Sequence, residues 1–472
     1  MSYLRSAAGQ LYFGEEARVP FSRSAGARAP FLVVLTCFVL AACGDDNAPG
    51  APEPDDADTF EPDASDAGRD EDASETPDAD VDTDSGNVSQ CEGDVLDFDV
   101  ANGVGRLFSA AIVGNRVHLV YVVPSGGGSL AKPTSQGLAY VTFDTTGAAM
   151  APTDIVNVGQ EVYSKTRDPA LVARGSELDL FYTSNVEYAF ELYYKDLDAN
   201  STPVRQTTNT RNEYYVAASA YGGSVAVTYS DEPAQVSVAG AVSLITAPGQ
   251  APIQLVTEAK GIHAAQLAFA EVGPDATRKG VLAFVGDLEA SSGIFFQTVN
   301  SDGQPAGELV TLSDMIGGAS NVDIARGKSG GAVIYTEAPG GIIHQLRFRE
   351  ISAAGLASSI VRNLTSANQD LRDVAVTSYS GGYAIAYRRL GGAPNAEASV
   401  YLMFVDAEGN TGGTRLVKPA SISGKGVDVL VANDGRLVVL WADTVTVTNA
   451  MNKPETRLQV HAARLSCVVT NP

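Results

Sequence analysis

The stretch LFSAAIVGNRVHLVY, residues 107–121, decides the fold because variants of it recur six more times along the chain. A run rich in Val and Ala leads into a tight turn that contains Gly, and a second run usually ends on an aromatic residue. Such runs indicate two antiparallel strands joined by a hairpin whose turn favours residues with positive φ. The other copies are PALVARGSELDLFY (169–182), YYVAASAYGGSVAVTY (214–229), QLAFAEVGPDATRKGVLAF (266–284), VDIARGKSGGAVIY (322–335), DVAVTSYSGGYAIAY (373–387) and VDVLVANDGRLVVLW (427–441).

The copies follow one another at intervals of about 50 residues, which is the period of a β-propeller blade. Each copy is followed by a third strand-like run, such as GLAYVTFD (137–144), and usually by a shorter fourth run, such as ELVTL (308–312). Residues 91–472 are therefore predicted to form an all-β domain, a seven-bladed β-propeller. The last copy lacks a fourth run, so DVLDFDV (94–100) is predicted to supply the outer strand of blade seven and to close the ring.

Two cysteines flank the predicted propeller. Cys91 precedes the closing strand, and Cys467 follows the last strand of blade seven. In an exported protein such a pair is expected to form a disulfide bond, which would fasten the closing strand. The chain-entropy model assigns at most roughly 5–6 kcal/mol to a loop of this length. The alternative is a pair of free thiols.

Residues 1–42 have the features of an export signal. Several arginines precede an apolar run over residues 31–42, which is too short to cross a bilayer as a helix. The run ends in Leu40-Ala41-Ala42-Cys43, and Gly44 follows.

This junction resembles the lipobox of bacterial lipoproteins. The resemblance implies cleavage before Cys43 and acylation of Cys43 by palmitate-type chains, two or more of which hold a protein stably on a membrane. Gly44, where an Asp would favour retention in the inner membrane, favours the outer membrane by the same resemblance. The protein is thus expected in the bacterial cell envelope, bound to a membrane through Cys43.

Residues 43–90 are predicted to be a disordered acidic linker that starts at the lipidated Cys43. From residue 44 onward they contain 17 acidic residues and one basic residue, Arg69, and too few apolar residues to form a core. A solvated spacer is the favoured interpretation, and a tail that binds cations or a partner is the alternative. The linker carries most of the chain's net charge of −24, so the propeller is only mildly acidic and a nucleic-acid partner is not expected.

The sequence contains no HExxH, CxxC, GxSxG or phosphate-loop motif. The Asp-box turns of sialidases, which end in Thr-Trp, are also absent. Asp196, Asp198 and Asn200 look like the start of a calcium loop, but the terminal Glu is missing and a simple Asx turn is favoured. No metal and no cofactor are expected.

Candidate ligand-binding residues stand where the first strand of each blade begins, because propeller ligands usually bind around the mouth of the central channel. One interpretation is that these residues pair with one another and hold the blades in register. The other is that the arginines grip a polar or anionic ligand. Long loops at 123–136, 388–398 and 442–456 would form a wall beside the mouth. The candidate residues are Arg167, Asp168, Arg211, Glu213, His263, Arg372 and Asp373, and Asp323 and Asp428 occupy comparable places.

The leading functional hypothesis is a monomeric, lipid-anchored scaffold without catalytic residues, which binds a protein or glycan partner on one face of the propeller. The alternative is a carbohydrate-active enzyme, a glycosidase or lyase, that uses acidic residues at the channel mouth. A structural role within an envelope complex is a third possibility.

Overall fold

The computed structural model describes residues 91–100, 106–128, 133–147, 153–156, 166–187, 189–199, 201–209, 211–232, 240–257, 262–274, 278–288, 291–314, 319–338, 343–366, 369–390, 398–422, 426–448, 452 and 454–467. The predicted signal peptide, the lipidated Cys43 and the acidic linker lie outside these residues. Every regular element in the described part of the chain is a strand, as the sequence predicts. Among the same residues there is no helix long and apolar enough to cross a membrane.

The strands form seven sheets, and in each sheet consecutive strands pair antiparallel. Blade one contains β3 (Phe108–Val113), β4 (Arg116–Gly128), β5 (Pro133–Asp144) and β6 (Thr153–Val156). Blade two contains β7 (Thr166–Arg174), β8 (Glu177–Glu187), β9 (Ala189–Asp196) and β10 (Val204–Arg205). Blade three contains β11 (Asn212–Tyr221), β12 (Ser224–Glu232), β13 (Ala241–Ile245) and β14 (Ile253–Val256). Blade four contains β15 (Ile262–Val272), β16 (Lys279–Leu288), β17 (Ser291–Val299) and β18 (Pro305–Asp314).

The remaining blades follow the same plan. Blade five contains β19 (Ala319–Arg326), β20 (Gly331–Glu337), β21 (Gln345–Ile351) and β22 (Arg362–Asn363). Blade six contains β23 (Asp370–Tyr379), β24 (Gly382–Leu390), β25 (Ala398–Val405) and β26 (Thr411–Ile422). Blade seven contains β27 (Val427–Val431), β28 (Leu437–Thr448) and β29 (Pro454–Cys467), and it is completed by β1 (Cys91–Glu92) and β2 (Val95–Val100).

The first strand of each blade contacts the first strand of the next, and β27 contacts β3, so the seven sheets form a closed ring around these inner strands. The predicted closing strand is confirmed, since β2 pairs with β29 from Val95 opposite Ala463 to Val100 opposite Leu458. The chain is therefore a seven-bladed β-propeller whose last blade is completed by the N-terminal segment of the domain.

The core lies between neighbouring blades. The aromatic residues that end the repeats in the sequence are buried, because each lies on a middle strand covered by blades on both faces. Several of these rings stack on a residue of the adjacent strand, as in Tyr182 with Tyr193, whose ring centroids are 5.5 Å apart. In blade seven the ring of Trp441 stacks on the imidazole of His461 at 5.2 Å, and the Nδ1 atom of His461 lies 2.7 Å from a carboxylate oxygen of Asp97 on β2.

The inner strands are tied to one another by side chains that accept hydrogen bonds from the backbone of the neighbouring blade. Asp323 of blade five accepts from the N–H of Val376 in blade six at 2.8 Å, and Asp428 of blade seven accepts from the N–H of Ala110 in blade one. These ties fix the register of adjacent blades without a continuous ladder between their inner strands. The same arrangement links Ser109 to Leu171 at 3.0 Å and Asp373 to Gly426 at 3.0 Å.

The junction of blades seven and one is held by Arg464 of β29, a side chain that is only 6% exposed. Its guanidinium forms two hydrogen bonds to the carboxylate of Asp94, beside the closing strand, one of them at 3.0 Å. It also donates to the carbonyl oxygens of Asp144, at 3.1 Å, and Gly147, in the turn after β5. One side chain thus joins the closing strand, its own blade and blade one.

Two of the three predicted long loops are mostly strand. The hairpin β4–β5 extends to Gly128 and resumes at Pro133, and β28–β29 extends to Thr448 and resumes at Pro454. The expectation of irregular loops at 123–136 and 442–456 was therefore wrong. Alternating residues such as Thr444-Val445-Thr446 continue the strand pattern past the aromatic residue that marks the end of the repeat. Most of the third predicted loop, residues 391–397, lies outside the described residues.

The backbone pairs Cys91 of β1 directly opposite Cys467 of β29. Opposed residues of antiparallel strands have Cα atoms roughly 4.5–5.5 Å apart, a separation that a disulfide bond can span. The two side chains lie outside the described part of the structure, so the bond itself stays a prediction.

We expect Arg464→Met to lower the free energy of unfolding by about 2 kcal/mol, because it leaves two carbonyl oxygens and Asp94 without charge-assisted donors. Chemical denaturation followed by circular dichroism would measure the loss. The matched control is Arg116→Met, which removes an ion pair between half-exposed side chains, Arg116 and Asp144, and should change the free energy little. Equal effects of the two substitutions would contradict the role of Arg464.

Candidate binding site at the channel mouth

The inner strands all begin on one face of the ring, which we call the mouth face. The opposite face, where inner strands end in glycine-bearing turns such as Gly114 and Gly435, is the turn face. The predicted residues Arg167 and Asp168 lie in β7, Glu213 in β11 just after Arg211, and Arg372 and Asp373 in β23, all at the mouth face. His263 lies in β15, and its side chain is outside the described part of the structure.

Asp168 and Asp373 occupy equivalent β-bulges, at which the pairing of the inner strand shifts register. Both have positive φ, 52° and 43°, a conformation that Asp adopts at lower cost than most residues. Asp168 is 2% exposed and accepts from the backbone N–H of Arg106 in blade one at 2.7 Å and from that of Tyr215 in blade three. It thus ties three consecutive blades.

Asp373 combines its tie to blade seven with an ion pair to Arg388 of the adjacent strand. The contacts of Asp168 and Asp373 therefore agree with the interpretation that the charged residues hold the blades in register. Their carboxylate oxygens are engaged by backbone donors, which limits what they could offer to a ligand.

Arg167 is held in a different way, against two aromatic rings. The central carbon of its guanidinium lies 4.0 Å from the centroid of the Phe190 ring and 4.0 Å from that of the Tyr214 ring. The two ring centroids are 5.6 Å apart and the ring planes are tilted by 58°, so the cation lies in the corner between the rings and contacts both π-systems. Its Nε atom is 3.5 Å from a carboxylate oxygen of Asp168.

Tyr215 extends this group of aromatic residues. Its ring meets that of Tyr214 edge to face, with centroids 6.1 Å apart. Its φ of 54° places a bulky residue in the left-handed region, at the bulge position that Asp168 and Asp373 occupy in their blades. Such strain in a non-glycine residue is concentrated at functional sites. Phe190, Tyr214 and Tyr215 are partly exposed and the Arg167 side chain is 15% exposed; we call these four residues, which lie at the mouth face, the aromatic platform.

Arg211 and Glu213 belong to a network of charges between blades two and three. Arg211 donates to Asp231 through Nε at 2.5 Å, and Glu213 accepts from the side-chain amide of Asn209 at 3.0 Å. Glu191 pairs with Arg205 at 2.5 Å in the same region. Arg211, which was predicted to bind a ligand, therefore already forms an ion pair with Asp231.

Glu213 is fully buried, and its second carboxylate oxygen has no hydrogen-bond partner among the described residues. Burial, reinforced by the negative charges of Glu191 and Asp231, raises the pKa of Glu213 to about 8. The carboxyl group is thus largely protonated at neutral pH, as expected of an acid removed from water.

Arg372 lies in a separate group on blade six. It contacts Asp370 at 3.2 Å and the Nε2 atom of His344 at 3.3 Å. Each of the three predicted arginines is therefore engaged by an acid of its own surroundings, and the contacts do not bring the three together around one ligand.

Three acidic residues of the inner strands share one electrostatic environment with Arg106. The Arg106 charge lowers the pKa values of Asp168, Asp323 and Asp428, but burial is the larger effect and raises all three. The pKa of Asp323 is raised to about 6 and that of Asp428 to about 7. No group of three or more His, Cys, Asp or Glu side chains in the described ranges is arranged to hold a metal ion.

At the turn after β9 the Asp196 carboxylate accepts from the backbone N–H of Ala199, three residues on, at 2.9 Å, so these residues form a hydrogen-bonded turn of a different type from the predicted Asx turn. Phe190 is a platform residue that the sequence did not indicate. Its only signal is its position at the start of a third strand, and nothing in the repeat connects that position with Arg167.

Comparisons with known proteins add little beyond this geometry. No protein-family model matches the chain, and no curated protein matches it. Among solved structures, one from a study of two prolyl endopeptidases aligns at 11% identity over 75% of this chain and 53% of that chain, with a TM-score of 0.42. Trypanosoma rangeli sialidase in complex with the inhibitor DANA aligns at 11% identity over 76% of this chain and 54% of that chain, with a TM-score of 0.39.

The chain spans little more than half the length of these structures. At such identities and TM-scores the likeness carries no information on ligand or reaction. The propeller assignment rests instead on the strand pairing within and between the blades.

The raised pKa of Glu213 predicts a pH dependence of stability. Because the folded protein keeps this proton between about pH 4.5 and pH 8 while the unfolded chain loses it, stability should fall as pH rises through that window. Glu213→Gln mimics the protonated acid and should remove about 3 kcal/mol of that fall. Denaturation at pH 5 and pH 8 would measure it. Glu308→Gln, at an exposed position, should behave as wild type, and an unchanged pH profile in Glu213→Gln would refute the assignment.

Proposed function

We propose that this protein is a lipid-anchored propeller of the bacterial cell envelope, and that it binds a protein or glycan partner on its mouth face without catalysing a reaction. The observation that carries the proposal is the aromatic platform, in which Arg167 packs against the rings of Phe190 and Tyr214 at the mouth face and the aromatic residues are partly exposed. Tyr and Arg are enriched among the residues that dominate binding energy at interfaces. Tyrosine rings also suit contact with sugars, since each has an apolar face and a polar end.

The engagement of the acidic residues supports binding rather than catalysis. A general acid or nucleophile must reach its substrate, whereas Asp168 and Glu213 are almost or fully buried. Asp168 and Asp373 also accept hydrogen bonds from neighbouring blades, so moving them toward a substrate would weaken the ring.

The envelope location rests on the sequence, through the signal-like residues 1–42, the lipobox-like junction at Cys43 and the acidic linker to residue 90. An oxidising compartment would also favour the disulfide between Cys91 and Cys467, whose backbones are paired.

A carbohydrate-active enzyme is the second candidate, and the raised pKa of Glu213 is the observation that favours it. Glycosidases use one carboxylic acid kept protonated near neutral pH and a second carboxylate nearby, and Glu191 is a neighbouring acid. Full burial of Glu213 weighs against this candidate, because a rearrangement would be needed before a glycan could reach it.

Binding through the platform predicts that Phe190→Leu weakens partner binding at least tenfold, because it removes one of the two rings against which Arg167 packs. Glycan arrays and affinity capture from envelope extract would identify ligands of the wild-type chain, and titration of each ligand would measure the loss. The matched control is Phe404→Leu, a half-buried Phe near the end of a third strand and so toward the turn face, paired with Tyr379.

Ligands that bind Phe190→Leu and wild type equally would rule out the platform as the site. Turnover of any array glycan that is lost in Glu213→Gln would instead favour the enzyme.

The anchor is tested separately. Cys43→Ser should move the protein from the detergent phase to the aqueous phase in phase partitioning of cell extracts, because the acylated thiol is missing. Asp45→Asn, which leaves the lipobox-like junction intact, is the control. Continued partitioning of Cys43→Ser into detergent would refute lipidation.

A further inference from the structure

The backbone around the aromatic platform recurs elsewhere in the ring with different side chains. The N–H of Phe190, near the start of β9, donates to the Asn212 side chain of the next blade at 3.0 Å. At the junction of blades five and six, the N–H of His344 donates in the same way to Asp370 at 3.0 Å. The same arrangement therefore forms with an imidazole in place of the phenyl ring, so the fold itself does not require an aromatic residue at position 190.

The corner between two rings of the platform is filled by a cation of the chain itself. The guanidinium carbon of Arg167 lies 4.0 Å from the ring centroids of both Phe190 and Tyr214. This corner is the place where the positive group of a ligand would gain most from the rings. Because Arg167 already occupies it, the platform disfavours a basic ligand such as a lysine or arginine side chain of a partner protein.

A carboxylate lies beside the rings on the same face of blade three. In the β11–β12 ladder Tyr214 is opposite Ser230 and Asn212 is opposite Glu232, so Tyr214 and Glu232 are diagonal neighbours. Glu232 is partly exposed, and no basic side chain in the described part of the chain forms an ion pair with it. Burial raises the pKa values of Tyr214 and Tyr215, and the negative charge of Glu232 adds to the effect. An acidic ligand on these rings would be repelled by that charge.

We propose that the platform binds a neutral glycan, whose pyranose ring packs on the partly exposed rings of Phe190, Tyr214 and Tyr215. The inference rests on the proposed binding function and names its ligand class. A pyranose has C–H groups on its faces and hydroxyls around its edge, so it matches an aromatic surface bordered by polar side chains. Glu232 accepts hydrogen bonds from sugar hydroxyls, and the side-chain amide of Asn212 donates to others. None of these contacts requires a charge on the ligand.

The test titrates the full chain with neutral hexasaccharides of glucose, mannose, galactose and N-acetylglucosamine, followed by calorimetry in a detergent without a sugar headgroup. At least one should bind, and Tyr215→Asn should weaken its binding at least tenfold because a ring is lost. Asn tolerates the positive φ of position 215 better than most residues. Tyr379→Asn, which removes a partly buried ring near the end of an inner strand on the turn face, is the matched control and should bind as wild type.

The neutrality of the ligand is tested by salt and by charged probes. The affinity should change less than twofold between roughly 0.05 M and 0.5 M sodium chloride, because salt screens only interactions between charges. Oligogalacturonate, chitosan oligomers and oligolysine should bind at least tenfold more weakly than the best neutral hexasaccharide. Tighter binding of a charged probe, or no binding of any neutral hexasaccharide, would overturn the inference.

The outcomes separate this inference from the proposed function. If Tyr215→Asn loses its circular dichroism signal, Phe190→Leu takes its place, with the same expected loss of glycan binding. An envelope protein that binds wild type and not Phe190→Leu, in the absence of glycan binding, would overturn the glycan and leave the proposed binding function standing. Equal glycan binding by wild type and both platform variants would overturn the platform as the glycan site.

Discussion

The ring depends on one recurring interaction, in which a side chain on the inner strand of one blade accepts a hydrogen bond from a backbone N–H of the neighbouring blade. Inner strands of neighbouring blades lie side by side but belong to different sheets, so their backbone groups are not paired with one another as within a sheet. At several of these crossings a carboxylate supplies the acceptor, as Asp168, Asp323 and Asp373 do, and such charge-assisted bonds are stronger than neutral ones. The interaction requires burial of the carboxylate, which disfavours its ionised form. Burial therefore raises the pKa values of Asp323 and Asp428, even though their backbone donors favour the ionised form.

This constraint explains why acidic residues alone are a poor guide to function at the mouth of this propeller. Asp168 and Asp373 lie where a ligand site is expected, and their contacts instead link blades. In blade three the equivalent bulge is occupied by Tyr215, which packs against apolar residues of blades three and four. Because an aromatic residue replaces the carboxylate here, this position supplies no carboxylate acceptor between blades. The Tyr215 side chain instead lies next to Tyr214, which contacts Arg167.

Much of the architecture could be predicted from the sequence, because the apolar and aromatic residues that recur in each repeat are the ones that pack between the blades. An aromatic residue such as Tyr335 recurs where a middle strand is buried on both faces, and the missing fourth run after Trp441 indicated that β2 closes blade seven. The hairpin β28–β29 was missed because its polar alternation beyond Asp443 looks like a loop when the partner strand is unknown. Phe190 was missed for a related reason, since its contact with Arg167 depends on the fold of two blades and on no local pattern.

The pairing of Trp441 with His461 has an optical consequence. The chain has a single tryptophan, Trp441, and it is buried in the blade that the N-terminal segment completes. Trp441 stacks on His461, which in turn contacts Asp97 of the closing strand. Intrinsic ultraviolet emission is therefore a local signal from the junction of the ring. A spectral shift that preceded the loss of far-ultraviolet circular dichroism would report detachment of the closing segment before the sheets themselves unfold.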